Sequence, residues 1–227
     1  MKRIFPIFAV VTVILLAYAF YEAIWVAPME RTMGDVQRIF YYHVPSAWTA
    51  FLLFFVNLVA SVIYLVRRNP RADAVALVSA EVGVVFCTIV LITGPIWARP
   101  VWGIWWTWDI RLTTTLVLWL IYVSYLVLRR FSDSSQTPKL AAVLAIFGAL
   151  DVPLVYFSIW FFRTQHPQPV IGGGGSIDPR MLHVLLINWL AFSCLALMIC
   201  WARYRLELLQ REVEEVESLE SLRGVAQ

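Results

Sequence analysis

Six uninterrupted apolar blocks decide what this chain can fold into. They lie at roughly 4–25, 46–66, 76–98, 112–130, 139–161 and 181–202. A helix needs about 20 apolar residues to cross a bilayer, and every block is too long for a strand. Lipid offers the backbone no water, so a spanning segment must satisfy its own peptide groups, as a helix does. The fold class expected is therefore an all-α integral membrane protein with six transmembrane helices in a single membrane domain. Composition agrees. The 227 residues are 61% hydrophobic and 15% charged, with a mean hydropathy of +0.74. Soluble domains carry about 25% charged residues, so this chain has too little polar surface to stay dissolved. Nothing in it points to nucleic acid.

The cations sort by loop. Lys2, Arg3, Arg67, Arg68, Arg71, Arg129, Arg130, Lys139, Arg203, Arg205, Arg211 and Arg223 fall on one side of the six spans. Arg31, Arg38, Arg99, Arg111, Arg163 and Arg180 fall on the other. Positive charge gathers on the cytoplasmic side. Both termini are expected in the cytoplasm, and the loops around 26–45, 99–111 and 162–180 outside. Met1-Lys2-Arg3, an apolar run and Ala17-Tyr18-Ala19 have the outline of a signal peptide, whose removal would leave five helices. The run is long for that role, and a retained first helix is expected.

The expected boundaries are a six-helix membrane domain at 1–205 and a cytoplasmic helical tail at 206–227. In the tail, Leu206, Leu209, Val213, Val216, Leu219 and Leu222 recur at helical spacing. A partner-docking helix and a plain solvated helix both fit that pattern. Asn69-Pro70 marks a turn, and Asp178-Pro179 marks a helix start. The second helix is expected to open at Pro45-Ser46 and the third to end near Thr93-Gly94-Pro95. Cys87, Cys194 and Cys200 lie in apolar segments with no C-x-x-C and no C-x-x-C-H. Disulfide exchange and covalent c-type haem attachment are not indicated.

The densest chemistry lies at about 99–111, in Trp102-Gly103-Ile104-Trp105-Trp106-Thr107-Trp108-Asp109. On an ideal helix at about 100° per residue, Trp102, Trp105, Trp106 and Asp109 share a face and Trp108 points elsewhere. The expected result is a short interfacial helix with a broad aromatic platform, suited to a large planar ligand such as porphyrin. An aromatic belt at the membrane boundary is the competing explanation. The only histidines, His43, His166 and His183, all fall on the outward side. Imidazole is a standard axial ligand of haem iron, and His43 and His183 sit at one depth on two helices. His166 lies in a Pro- and Gly-rich loop, where simple solvation is favoured over a transient ligand or a partner contact. Arg99 and Arg111 bracket the platform and suit propionates, or serve as interfacial anchors. Asp151, within a span, is a functional candidate whose partner the sequence does not name.

These residues carry a resemblance. Trp102 to Asp109 looks like the WWD signature of membrane haem-handling proteins of cytochrome c maturation, and within that group the chain resembles the haem exporter protein C family. Phe40-Tyr41-Tyr42-His43-Val44-Pro45-Ser46-Ala47-Trp48 is similar to the family's segment around its first haem-ligating histidine, and His183 matches the second. The similarity covers about 20 to 200. It departs from the family at Gln165-His166-Pro167-Gln168, where Leu-His-Gln is usual, and at Asp151, where Asn is usual.

The resemblance implies a non-enzymatic haem-delivery subunit in the bacterial inner membrane. It would hold b-type, non-covalent haem at the periplasmic face, with His43 and His183 on the iron. Trp102, Trp105, Trp106, Trp108, Asp109, Arg99 and Arg111 would surround it. It would pass haem to a periplasmic haem chaperone and assist, at most, the covalent attachment there. It would work beside an ATP-binding subunit, a second multi-span subunit and a small single-span subunit of an ABC-type complex. The Gly172–Gly175 stretch would let the last outer loop move. The alternatives are a haem lyase of the same superfamily and a permease subunit that translocates haem. Against the first, Asp109 is followed by Ile110-Arg111-Leu112-Thr113 and not by a Pro- and Glu-rich run. Against the second, the spans show no chain of polar residues apart from Asp151.

Overall fold

The computed structural model describes residues 4–132, 134–162, 164–169 and 177–225. Arg163 and the Gly172–Gly175 stretch lie outside these, as do Lys2, Arg3 and the side chain of Arg223. The described residues form seven α-helices: α1 (Ile4–Tyr21), α2 (Phe40–Arg67), α3 (Pro70–Trp102), α4 (Ile110–Phe131), α5 (Thr137–Ala149), α6 (Asp151–Phe161) and α7 (Pro179–Val225). A π-helical turn, Glu22–Val26, ends α1, and a 3-10 helix, Asp35–Ile39, leads into α2. With α5 and α6 counted as one span, six helices are long and apolar enough to cross a membrane. Among the described residues no strand forms, only an isolated bridge between Glu30 and Gly34.

The helix boundaries follow local chemistry. Arg68 takes a left-handed conformation that closes α2, and its N–H bonds to the Tyr64 carbonyl at 2.8 Å. Asn69 then caps α3, accepting the Arg71 N–H at 2.9 Å, with Pro70 in the first turn. Asp178 caps α7 in the same way, accepting the Arg180 N–H at 2.8 Å.

Three boundaries differ from the sequence reading. α2 opens at Phe40, before Pro45, because the preceding 3-10 turn already winds the chain. α3 passes through Pro95 and Pro100 and stops at Trp102. Each proline removes one hydrogen bond, which a helix in lipid tolerates where neighbouring groups compensate; breaking the helix would free several. The fifth span is broken at Leu150. Pro153 cannot donate to the Ala149 carbonyl, and Leu150 N–H tightens onto Phe147 O at 3.2 Å.

Small residues let the helices approach. Phe54 of α2 stacks on Tyr122 of α4 with centroids 3.8 Å apart and planes 11° from parallel. Gly83 of α3 lies against the outer edge of Phe54, and Gly148 of α5 against the edge of Tyr122. A Cβ at Gly83 would sit 2.7 Å from Phe54 Cε1. Phe54 cannot swing away, since Tyr122 backs it. Overpacking of this kind costs about 1–3 kcal/mol. Gly83→Leu is therefore expected to lower the thermal unfolding midpoint of the detergent-solubilised protein, and Gly83→Ala to lower it less. An unchanged midpoint for Gly83→Leu would mean that the α2–α3 contact is looser than this.

Polar side chains tie the remaining helices, as membrane interiors favour. Asn57 donates to the Ala76 carbonyl at 2.6 Å, and Trp119 Nε1 donates to Thr88 Oγ1 at 2.8 Å. Asn188 of α7 donates to the Ala19 carbonyl of α1 at 3.2 Å. Phe5 and Phe8 of α1 pack on Trp201 of α7. The first helix is thus part of the bundle. The order of the helices brings the starts of α2, α4 and α7 and the ends of α3 and α6 to one end of the molecule.

Candidate functional site

That end carries the tryptophan segment Trp102–Trp108, the three histidines and Asp109. α3 stops at Trp102 because Gly103 adopts φ +79°, a conformation that glycine tolerates and other residues avoid. Its N–H returns to the Arg99 carbonyl at 3.0 Å, and the Arg99 guanidinium bonds the Gly103 carbonyl. From 104 to 109 the chain is not helical. This corrects the helical-wheel expectation. Trp102 packs edge-on against Trp97 of α3 at 5.2 Å, and Trp106 packs edge-on against Trp108 at 5.7 Å. Trp108, expected to point elsewhere, shares a cleft with Trp106, Leu91 and Leu116 of about 320 Å³. Trp105 and Trp108 are the exposed pair, at 59% and 75%. The Trp106 indole N–H is buried and has no acceptor among the described residues.

Asp109 ends the segment by capping α4. Its carboxylate accepts the Leu112 N–H at 3.0 Å and the Thr164 hydroxyl at 2.9 Å. Thr164 Oγ1 in turn accepts the His166 N–H at 3.1 Å. One carboxylate therefore joins the tryptophan segment to the loop after α6. It acts on the platform by fixing it in place. Arg111, one turn into α4, is partly buried and reaches the Val155 and Tyr156 carbonyls of α6, both at 3.5 Å. Arg99 is exposed and folded back on its own helix end.

His43 faces α3. Its Nδ1 lies 2.8 Å from Thr93 Oγ1, and its Cε1 packs over the bare face of Gly94. The Thr93 hydroxyl has one proton, which goes to the Ile89 carbonyl at 2.6 Å. It can then only accept from His43. Nδ1 is accordingly the protonated nitrogen, and Nε2 keeps a free lone pair, the form that binds a metal. Thr93 and Thr164 were not singled out by the sequence reading as partners of His43 and Asp109. They stand 50 and 55 residues away from those partners. The one local signal was the Thr93-Gly94 pair, read as a helix end.

His166 is partly buried, in contrast to the solvated residue expected. Its Nδ1 donates to the Pro167 carbonyl at 2.9 Å, which leaves its Nε2 also free. Burial, then the nearby Arg111 charge, hold this imidazole down to about 3. His43 also lies close enough to disfavour its protonation. The folded value is below the ordinary 6.5, so the unfolded chain takes the proton first. Stability from this residue is complete above about pH 6.5 and declines as pH falls toward 3. The unfolding midpoint is expected to drop between pH 7 and pH 4, and His166→Gln to flatten that drop. An equal slope in the variant would place the acid-sensitive group elsewhere.

His183 stands apart. It is exposed and lines a second recess of about 280 Å³ with Glu22, Val26, Pro179, Arg180 and Val184. Its neighbours Val184 and Leu185 pack on Tyr41, Ala23 and Ala27, and Trp189 packs edge-on against Trp48 at 5.4 Å. His43 and His183 are thus at the same end but in different surroundings. No group of three or more His, Cys, Asp or Glu side chains that could hold a bare metal ion occurs among the described residues.

The family model described as Heme exporter protein C matches residues 1–218. The chain belongs to the Heme exporter protein C family. A relative of that name from Bradyrhizobium diazoefficiens is 38% identical over 224 residues, covering 97% of this chain and 85% of the relative. The Heme exporter protein C of Escherichia coli K12 is 34% identical over 193 residues, 85% of this chain and 78% of that one. A putative cytochrome c biosynthesis ccmC-like mitochondrial protein of Marchantia polymorpha is 34% identical over 179 residues, covering 78% and 76%. Family membership and the six apolar helices together make this a multi-pass membrane protein.

The residues at the tryptophan end suit haem as a cargo. An imidazole with a free Nε2 supplies an iron ligand. Indole faces supply apolar area for the ring. The unpartnered Trp106 N–H and the nearby arginines supply donors for carboxylates.

Proposed function

We propose that this chain holds b-type haem, bound without a covalent link, at the periplasmic face of the bacterial inner membrane. It then passes the haem to a periplasmic haem chaperone during cytochrome c maturation. The observation that carries this reading is His43, fixed by Thr93 in its metal-binding tautomer at the same end as the tryptophan segment. His43 and His183 ligate the iron. Trp102, Trp105, Trp106 and Trp108 shield the ring, Arg99 and Arg111 meet the propionates, and Asp109 positions the segment. The cargo supplies the iron chemistry, and the protein orients and releases it. The chain acts as a delivery subunit beside an ATP-binding subunit, a second multi-span subunit and a small single-span subunit. Its termini lie in the cytoplasm, on the side where its cations concentrate.

One observation favours a second assignment within this function. His166 has a free Nε2 and is tied through Thr164 to Asp109, the residue that fixes the tryptophan segment, so it competes with His183 as the second ligand.

Protein purified from cells with ample haem is expected to carry low-spin, bis-imidazole haem. It should lose that haem to an added periplasmic chaperone. If no haem copurifies, the tryptophans are membrane anchors. If apocytochrome accepts haem covalently from this protein alone, it is a lyase.

A further inference from the structure

α7 is much longer than a membrane requires. Its 47 residues span about 70 Å at 1.5 Å per residue, against a hydrocarbon core of about 30 Å. The excess lies at the end opposite the tryptophan segment, where the helix runs on past Arg203 without a break.

Among the described residues the bundle holds only one side of this extension. Arg203 bonds Glu81 of α3 at 3.0 Å, and Glu207 takes both Arg203 and Arg211. Arg211 bonds Asp73 of α3 at 2.8 Å and the Pro70 carbonyl at 3.0 Å. These inward residues follow one another every four positions. The apolar stripe lies roughly 140° away around the helix. Leu206, Leu209, Val213 and Val216 form this stripe and are each 54–56% exposed, while Leu219 and Leu222, exposed at 52% and 68%, turn onto other faces of the helix. An ionic face is turned to the bundle, then, and an apolar face is turned away from it. Exposed apolar stripes of this length mark interaction surfaces.

Charge selects the occupant. From 206 to 222 there are six glutamates against one arginine, and that arginine is spent on Asp73 and Glu207. Glu212 and Glu217 flank the stripe on its two sides, and all the glutamates from Glu212 to Glu220 are exposed. A second copy of this helix would set glutamates against glutamates, which opposes pairing. A membrane surface bearing anionic lipid repels it as well. A helix with its own apolar stripe flanked by Lys and Arg satisfies both the stripe and the acids.

We propose that the outward face of α7 from Leu206 to Val216 docks a basic amphipathic helix of another protein on that side of the membrane. The site is independent of the haem reading.

The test uses the full chain in nanodiscs of phosphatidylcholine. The probe is a labelled synthetic helical peptide with leucine at the a and d positions and lysine or arginine at e and g. A shuffled peptide of the same composition and an acidic counterpart with the same stripe serve as controls. The basic amphipathic peptide is expected to bind loaded discs and not empty ones, and both controls to bind at least about tenfold more weakly. Val213→Glu with Val216→Glu should weaken binding about tenfold or more. Glu212→Gln and Glu217→Gln together should weaken it and flatten its salt dependence. Both sets of changes lie on exposed helix, and unchanged unfolding midpoints verify that the fold is kept. Equal binding of the shuffled peptide, or no effect of the Val213 and Val216 changes, would overturn the proposal. So would disulfide-linked dimers of Val213→Cys that the peptide does not prevent, since the occupant would then be a second copy. A dye at position 213 that reports insertion into the bilayer would overturn it in favour of lipid.

Discussion

Replacing His43 with alanine is expected to abolish the bis-imidazole haem spectrum of the purified protein. His43 is the histidine whose tautomer the surrounding helix dictates. Thr93 spends its proton on the Ile89 carbonyl, so His43 Nδ1 must donate to it and Nε2 is left for iron. That logic predicts a graded series. Thr93→Val keeps the ligand but removes its orienting partner, and such outer contacts typically change metal affinity by about 10–100-fold. Haem titration of Thr93→Val should therefore show weaker binding with the same band positions. His183→Ala and His166→Ala, measured alongside, identify the second ligand: the one that converts the spectrum to a single-histidine form is bound to the iron. A His43→Ala protein with an unchanged spectrum would refute the assignment of His43.

At the other end of the bundle, Asp73→Asn is expected to destabilise the protein more than any surface change. Asp73 is 4% exposed and sits at the base of α3. Its carboxylate accepts both arms of Arg129 from α4, one at 2.8 Å, and Arg211 from α7 at 2.8 Å. The chain-distant ends of three helices thus converge on one anion. Removing the charge leaves the nearly buried Arg129 guanidinium without its counter-ion and takes from Arg211 one of its two carboxylate partners, Glu207 being the other. Breaking a buried pair from one side costs about 3–5 kcal/mol. For a chain of this size that is a fall in the unfolding midpoint on the order of 10 °C. The α7 extension should also become more sensitive to protease, because Arg211, the outermost residue bonded to the bundle among the described residues, then keeps only the Pro70 carbonyl there. If Asp73→Asn and Arg129→Gln had additive effects, the two would not be acting as one unit.

Both sites show why some features were legible in sequence and others were not. Hydrophobicity and cation sorting are local sums, so the number of spans and the grouping of the loops followed from composition alone. Helix caps are nearly as local, and Asn69-Pro70 and Asp178-Pro179 formed as expected. The tryptophan segment failed the helical-wheel reading at Gly103 and Asp109. Both carry ordinary helix-boundary signals, one closing α3 and the other opening α4. The wheel ran through both. Pro95 misled in the opposite sense, since a single lost bond does not end a helix in a medium without water. The tail stripe was visible as a period but not as a surface, because which face the bundle covers depends on Arg203, Glu207 and Arg211 meeting α3.

The sequence by itself determined that this chain is a six-span helical membrane protein with an aromatic segment and histidines on one side of it. Those properties come from residues near one another in the chain, and lipid enforces them whatever the packing. Only the tertiary structure decided that Trp108 joins Trp106, that Asp109 latches two loops, that Thr93 sets the tautomer of His43, and that Asp73 gathers Arg129 and Arg211. Each of these but the first is a hydrogen bond between atoms 50 or more residues apart. Hydrogen bonds act over about 3 Å and in fixed directions, so residue type alone leaves them undetermined until the helices are packed.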